Sequence, residues 1–332
     1  MGSERPLIAV TSGDPAGVGP EIILKALANA EVRAACIPIV VGTKAIMEAD
    51  LAVAGVSLDV QVIPNVDAAK GEPGTVEVLE IEGPILGTYP LGKNSAIAGK
   101  FSGDTIAKAV GLAMDGSVQS VVVAPNSKKA LHDGGYHFAG FQEIINHYTG
   151  TKDSVQILMG RHYSQARVTN HVPLRQVSDL CTRENVLAKI RILNDSLKVV
   201  GYDKPRIGVS ALNPHIGEEG LLGTEEIEHI IPAVEDAKAE GIDAIGPLPA
   251  DTIFLDMKES RIDIVLSMFH DHGNACIKLV EFGFLVNFLG GLPVPVFTVS
   301  HGTAFDIVGQ GVADPTNLVW SILAAAGKRP TG

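Results

Sequence analysis

Cysteine is scarce in this chain: Cys36, Cys181 and Cys276 stand far apart and form no CxxC pair. That excludes a disulfide framework and a zinc ribbon, and it suits a reducing compartment. Positive charge is also short, with 26 Lys and Arg against 38 Asp and Glu, a formal net charge of −12. A role resting on non-specific contacts to a nucleic-acid backbone is therefore disfavoured, although a local basic patch for one small anion is not. No uninterrupted apolar stretch reaches the roughly 20 residues of a membrane helix. Residues Met1 to Pro6 lead straight into a short apolar run, without the basic segment, long apolar stretch and small-residue cleavage site of a secretory leader. The expectation is a cytoplasmic protein with no membrane and no nucleic-acid partner. The glycine loop Gly13–Gly19 is neither GxGxxG nor GxxxxGK[ST], so it gives neither a dinucleotide fingerprint nor a P-loop. Its glycines allow a tight turn and close helix packing.

What is present is an ordinary globular balance over 332 residues, 46% hydrophobic and 19% charged, enough for one or two domains. Short β-like runs alternate with longer helical patterns. Strands are expected at 7–11, 37–41, 121–123, 155–159, 165–169, 206–210 and 262–267, the fourth and fifth paired across 160–164. Helices are expected at 22–28, from about Lys44, and at 96–114, 184–200, 224–240 and 317–326. The stretch 58–92, rich in Gly and Pro, reads as a less regular excursion. Continuous apolar strands belong to a parallel sheet covered on both faces. The fold class is thus α/β, two α/β/α lobes with mostly parallel sheets. The expected boundaries are 1–130 plus 295–332 for the first lobe and 131–294 for the second.

Three segments place a histidine beside a strand end and turn-forming residues: Asn170-His171-Val172-Pro173, Asn213-Pro214-His215 and His270-Asp271-His272-Gly273. In a parallel sheet, loops beyond the strand C-termini converge on one crevice. Three imidazoles arriving there suit a divalent cation with coordination positions left for substrate. Each histidine taken alone also fits a partly buried ring satisfied by backbone, and the spacing is not a compact HExxH motif. Asp251 and Asp271 lie nearby in sequence, either to orient a ligating histidine or to relay a proton, or else as cap and turn residues.

The chain resembles the 4-hydroxythreonine-4-phosphate dehydrogenase family, within the isocitrate/isopropylmalate dehydrogenase-like fold group, over nearly its whole length. The carriers are Gly13-Asp14-Pro15-Ala16-Gly17-Val18-Gly19-Pro20-Glu21, Asn213-Pro214-His215, Gly246-Pro247-Leu248-Pro249-Ala250-Asp251-Thr252, His270-Asp271 and His301-Gly302-Thr303-Ala304. The resemblance implies an active-site cleft between the lobes, with His171, His215 and His270 as metal ligands contributed across a homodimer interface. It implies one divalent metal ion (Zn, Co, Mn, Ni or Mg), NAD or NADP, and a small hydroxy-acid substrate that is oxidised and then decarboxylated. Asp251 and Asp271, singled out by their place near the histidines, and Lys278, matched by the resemblance, are the candidate catalytic residues. Lys128, Lys278 and Asn287 match substrate contacts, and His301, Gly302, Thr303, Ala304 and Asp306 form the candidate cofactor segment. The metal's task in such chemistry is to acidify and orient the alcohol and to stabilise the enolate left by CO2 loss.

The match fails at two substrate positions. A Pro-Gly-His-Thr-Glu segment of the family reads Ala139-Gly140-Phe141-Gln142-Glu143 here, which puts Phe141 and Gln142 in the substrate wall. An arginine that holds the family's substrate phosphate is replaced by Val296. Losing a charge-assisted bidentate pair weakens phosphate binding by roughly 1.5–3 kcal/mol. A flat, apolar wall suits the aromatic cis-dihydrodiol carboxylates oxidised by a related branch, as in terephthalate breakdown. Lys278 and Asn287 keep the phosphate reading open. More distant alternatives are a phosphate acyltransferase, which shares the fold without metal or nicotinamide, and a non-catalytic metabolite-binding protein.

Overall fold

A computed structural model describes residues 5–138, 140–281 and 283–329. The chain divides into two compact units, residues 5–152 with 292–328 and residues 153–291 with 329. The segment 131–152, expected in the second lobe, packs with the first. There the Tyr136 hydroxyl donates to Asp104 at 2.7 Å, and the Tyr136 ring lies against Gly103, where no side chain would fit.

The first unit holds β1 (Leu7–Thr11), α1 (Gly19–Leu27), α2 (Ala30–Ala35), β2 (Ile37–Gly42), α3 (Lys44–Ala54), β3 (Asp59–Ile63), β4 (Thr75–Glu80), α4 (Ala96–Met114), β5 (Ser120–Val123), α5 (Lys128–Asp133) and α6 (Phe141–Thr149). The second holds β6 (Val155–Met159), β7 (Ser164–Arg167), α7 (Val177–Leu180), α8 (Arg183–Val199), β8 (Ile207–Ser210), α9 (Ile231–Ala239), β9 (Ala244–Leu248), α10 (Ile253–Lys258), β10 (Ile264–Ser267), α11 (His270–Glu281) and β11 (Val286–Gly290). The chain then returns to the first unit as β12 (Val296–Val299) and α12 (Thr316–Ala325).

In the first unit the strand order is β3-β4-β2-β1-β5-β12, and every pairing is parallel. Ile8, Val10, Ile39, Val41, Val121, Val122 and Val123 are all fully buried, as a sheet covered on both faces requires. The excursion expected at 58–92 is corrected here, because it contains β3 and β4. Its turn-formers Pro64, Gly71, Pro73 and Gly74 lie between the strands rather than inside them. Glu77 closes that connection by accepting from the amides of Lys70 (2.7 Å) and Gly71 (2.9 Å). Helix starts follow the local chemistry: Thr43, Ser95, Ser127 and Thr182 each accept an amide of the first turn.

In the second unit the order is β11-β6-β7-β10-β8-β9. The pairs β11–β6 and β6–β7 are antiparallel; β7, β10, β8 and β9 run parallel. The β6–β7 turn is tied by Glu281, a buried carboxylate at the end of α11 that accepts from the amides of Arg161, His162 and Tyr163. The helix expected at 224–240 begins as a wider π turn over Glu226–Ile230 and continues as α9.

Candidate active site

Parallel strands end on one edge, and in the second unit that edge gathers the histidines. His171 follows β7, His270 follows β10, His215 follows β8 and Asp251 follows β9. Because β10 lies between β7 and β8, His270 is the central member. Its ring sits 5.6 Å from that of His171, centroid to centroid, at an interplanar angle of 41°.

His270 opens α11, so His270, Asp271 and Lys278 lie on a helix and not on the loop expected from the sequence. Asn274, one turn on, places Nδ2 2.9 Å from His270 Nε2. An amide nitrogen only donates, so Nε2 accepts, and the proton sits on Nδ1, 2.9 Å from Asp271 Oδ1. Asn274 Oδ1 in turn accepts from Arg167 Nη1 at 2.6 Å, and Arg167 Nη2 donates to Gln156. Burial pushes the Arg167 pKa down to about 10, against the attraction of Asp271.

His215 does not join the pair within one chain. Residues His215 to Glu219 run through five consecutive positive φ angles, from 46° to 79°, and Gly217 is the one glycine among them. A left-handed turn of this kind costs roughly 1–2 kcal/mol per non-glycine residue. It is held by Glu226, fully buried, which accepts from the amides of Leu212 (2.8 Å) and Asn213 (2.7 Å) and from Asn213 Nδ2 (2.9 Å). The His215 side chain is 71% exposed, with Nδ1 3.2 Å from Glu218 Oε1 of its own loop. Among the described residues, no group of three His, Cys, Asp or Glu side chains is placed to hold a metal ion. The three-imidazole set expected from the sequence is therefore not assembled by a single chain. The donor set fits a divalent cation only in part: His171 and His270 are neighbours, and the Nε2 lone pair of His270 would have to exchange Asn274 for the metal.

Asp251 is exposed in the turn leading to α10, and Lys278 is exposed on α11. Asn287 is buried on β11, and its Oδ1 has no hydrogen-bond partner among the described residues, an acceptor left waiting for a donor.

The first unit gathers a second set. Lys128 opens α5, and its Nζ would lie 3.7 Å from a Cβ added at Gly140, next to Phe141 and Gln142 in the first turn of α6. Lys128, Phe141 and Gln142 are thus neighbours. Val296 is not a surface residue: it is fully buried in β12, in register with Val121, so it cannot touch a ligand in this arrangement. A valine that stands where the family has an arginine is here part of the sheet's apolar packing. In the 301–306 segment, His301 Nδ1 lies 3.0 Å from the Gly302 carbonyl, and its buried Nε2 has no partner among the described residues. Ala304 takes φ +44°, and Asp306 is exposed in the 3-10 turn Phe305–Ile307. Gly302 is exposed, with open space where a Cβ would be.

Sequence reasoning missed Glu226, Arg167 and Asn274. Glu226 had no local signal, since its partners lie 13 residues earlier. Arg167 did have one, being a charge inside an otherwise buried strand.

Solved structures share the fold. A 4-hydroxythreonine-4-phosphate dehydrogenase from Burkholderia phymatum is 37% identical, with a TM-score of 0.88 and 98% of each chain covered. A terephthalate 1,2-cis-dihydrodiol dehydrogenase from Burkholderia xenovorans is 25% identical, with a TM-score of 0.74, covering 98% of this chain and 99% of that one. The class is that of oxidoreductases acting on a CH–OH group. In sequence, a protein of Symbiobacterium thermophilum named as a candidate D-threonate 4-phosphate dehydrogenase is 38% identical over 322 residues, 97% of this chain and 96% of its own length. The model of the PdxA family, pyridoxal phosphate biosynthetic protein PdxA, matches residues 34–325, and the chain belongs to that family.

Proposed function

We propose that this protein oxidises the secondary alcohol of a small phosphorylated hydroxy acid, with NAD or NADP as hydride acceptor, and that the product then loses CO2. The observation that carries the reading is the His171–His270 pair at the strand edge, with Asp271 bonded to His270, in a chain similar from end to end to named dehydrogenases. A divalent metal would be held by His171 and His270 with His215 from a second copy of the chain, and when bound it would supply Lewis acidity to the alcohol oxygen and to the enolate of decarboxylation. Asp271 uses Oδ1 on His270, which leaves Oδ2 to take the alcohol proton. Lys278 and Lys128 bring cationic charge to the substrate's carboxylate and phosphate, and Asn287 Oδ1 accepts a substrate hydroxyl. The turn at 301–306 would hold the nicotinamide cofactor.

A homodimer is supported by apolar surface beside the histidines. Leu174, Leu221, Leu222 and Leu279 are exposed in the single chain, Leu221 at 82% and Leu279 at 85%. Exposed leucines on the segments that carry the histidines fit an interaction face.

A second reading, oxidation of an aromatic cis-dihydrodiol carboxylate, is favoured by Phe141 in the first turn of α6. One assay separates the two. Purified protein with divalent metal and NAD or NADP is given phosphorylated four-carbon hydroxy acids and aromatic dihydrodiol carboxylates. Nicotinamide reduction with the former, abolished by chelation, supports the first reading. Reduction with the latter alone transfers the assignment, and no reduction with either overturns both.

A further inference from the structure

The loop Gly13–Gly19 binds no cofactor by its pattern, yet it is bonded to three others of the first unit. The Asp14 amide donates to the Pro125 carbonyl at 2.9 Å, the Val18 amide to the Thr303 carbonyl at 3.0 Å, and the Gly92 amide to the Ala16 carbonyl at 2.8 Å. Its glycines are demanded by close approach. A Cβ on Gly13 (φ +71°) would lie 2.8 Å from the Pro125 carbonyl oxygen, and one on Gly17 would lie 2.8 Å from Thr303. The loop thus ties the turn carrying Lys128 and the turn carrying His301 to a single piece of backbone.

Asp14 sits inside it, fully buried. Oδ1 accepts from the Ala16 amide at 2.9 Å, and Oδ2, equally buried, makes no hydrogen bond of normal geometry, although the Ser127 amide also acts on the carboxylate. An asparagine would close the same turn without burying a charge. The carboxyl is thus more than the turn requires. Groups of that kind persist where function uses them.

We propose that Asp14 is a positioning residue of the dehydrogenase, its buried charge setting the Lys128 turn and the 301–305 turn for ligand binding. This rests on the reading that Lys128 and the 301–306 segment serve substrate and nicotinamide. Burial raises the Asp14 pKa to about 6, against the pull of the Ala16 and Ser127 amides. The Ser127 amide belongs to the N-cap of α5, directly before Lys128. The ionisable residues on α1 and close in sequence to the bonded segments are Glu21, Lys25, Tyr89, Lys93, Lys128, His301 and Asp306. Tyr89 feels the Asp14 charge: burial first, then Asp50 and Asp14, push the phenol up to about 12.

A raised carboxyl contributes stability only while protonated, so its ionisation weakens the fold as pH rises from 3.8 through 6. Asp14→Asn should therefore melt above the parent protein at pH 7.5, with the difference fading toward pH 4. The same variant should bind NAD about tenfold more weakly by calorimetry. It should also shift the NMR resonance of Lys128 after reductive ¹³C-methylation, and in the parent protein that resonance should titrate near pH 6. A carboxyl that merely braces the turn predicts a lower melting temperature for Asp14→Asn, and that result overturns the proposal. So does a more stable variant with unchanged NAD affinity and an unmoved Lys128 resonance. Should the parent protein bind neither NAD nor NADP, the proposed function fails, and the Lys128 resonance decides the role of Asp14 by itself.

Discussion

Arg167 carries a buried charge at the end of β7, and among the described residues no carboxylate lies within ion-pair distance; its guanidinium donates to the amide oxygens of Asn274 and Gln156. Asn274 is then the hinge of the arrangement, since one end of its amide receives Arg167 and the other faces His270. Asn274→Leu strands a buried cation, which should cost about 2–4 kcal/mol by urea unfolding. Combining it with Arg167→Met removes the stranded charge, so the double variant should lose less than the sum of the two singles. Simple additivity would break the proposed linkage. A different titration tests the first unit. Asp50 on α3 is pushed up to about 6 by burial first and by Glu21 second. The folded chain holds that proton more tightly than the unfolded one, so its contribution is complete below pH 3.8 and is lost as pH rises through 6. The urea midpoint of Asp50→Asn should match the parent protein near about pH 4 and exceed it near about pH 7.

Elements were legible where their period was long or their apolar run continuous. Ala96–Met114 is recovered end to end because nineteen residues, most of them small or aliphatic, lead off from a capping serine. β3 and β4 were hidden because their connection is dense in Pro and Gly, which says where a turn is and not what it joins. β11 and β12 are short, and α11 begins with His-Asp-His-Gly, a sequence that reads as a loop until Asn274, Ile277 and Glu281 are seen buried on one side. The histidines themselves were visible as strand-end residues. What their spacing does not encode is direction, and the left-handed turn that sends His215 into its own loop depends on Glu226. Within α4 the glycines make a sharp contrast. A Cβ on Gly99 would overlap the Ala130 carbonyl of α5 at 1.9 Å, whereas one on Gly111 meets nothing within 4 Å. Gly111→Ala should gain about 0.5–1 kcal/mol by removing backbone entropy from the unfolded chain. Gly99→Ala should lose about 1–3 kcal/mol through overpacking, both read by thermal unfolding. Equal effects would mean that α5 does not seat on α4 as described.

For the molecule as a whole, the proposed metal site asks for a third imidazole beyond the two that one chain brings together. If a second copy supplies His215, two-fold symmetry makes the exchange reciprocal, and each dimer carries two composite sites. That arrangement has a consequence independent of any structure of the dimer. His215→Ala and His270→Ala each destroy both sites of their own homodimer, so either preparation alone should be inactive. In a mixed dimer the two defects fall on the same site, which is doubly damaged, while the other receives intact His171 and His270 from one chain and intact His215 from its partner. Unfolding and refolding an equimolar mixture gives half mixed dimers by random pairing, and half of their sites are whole, so about a quarter of the parent activity should return. The recovered activity should depend on divalent metal and vanish on chelation, and it should fall when the exposed Leu279 is replaced by Asp in both chains, since that weakens pairing itself. A mixture as inactive as its components, although sedimentation shows mixed dimers formed, would mean that His171, His215 and His270 serve one chain only and that the loop bearing His215 must turn inward to reach them.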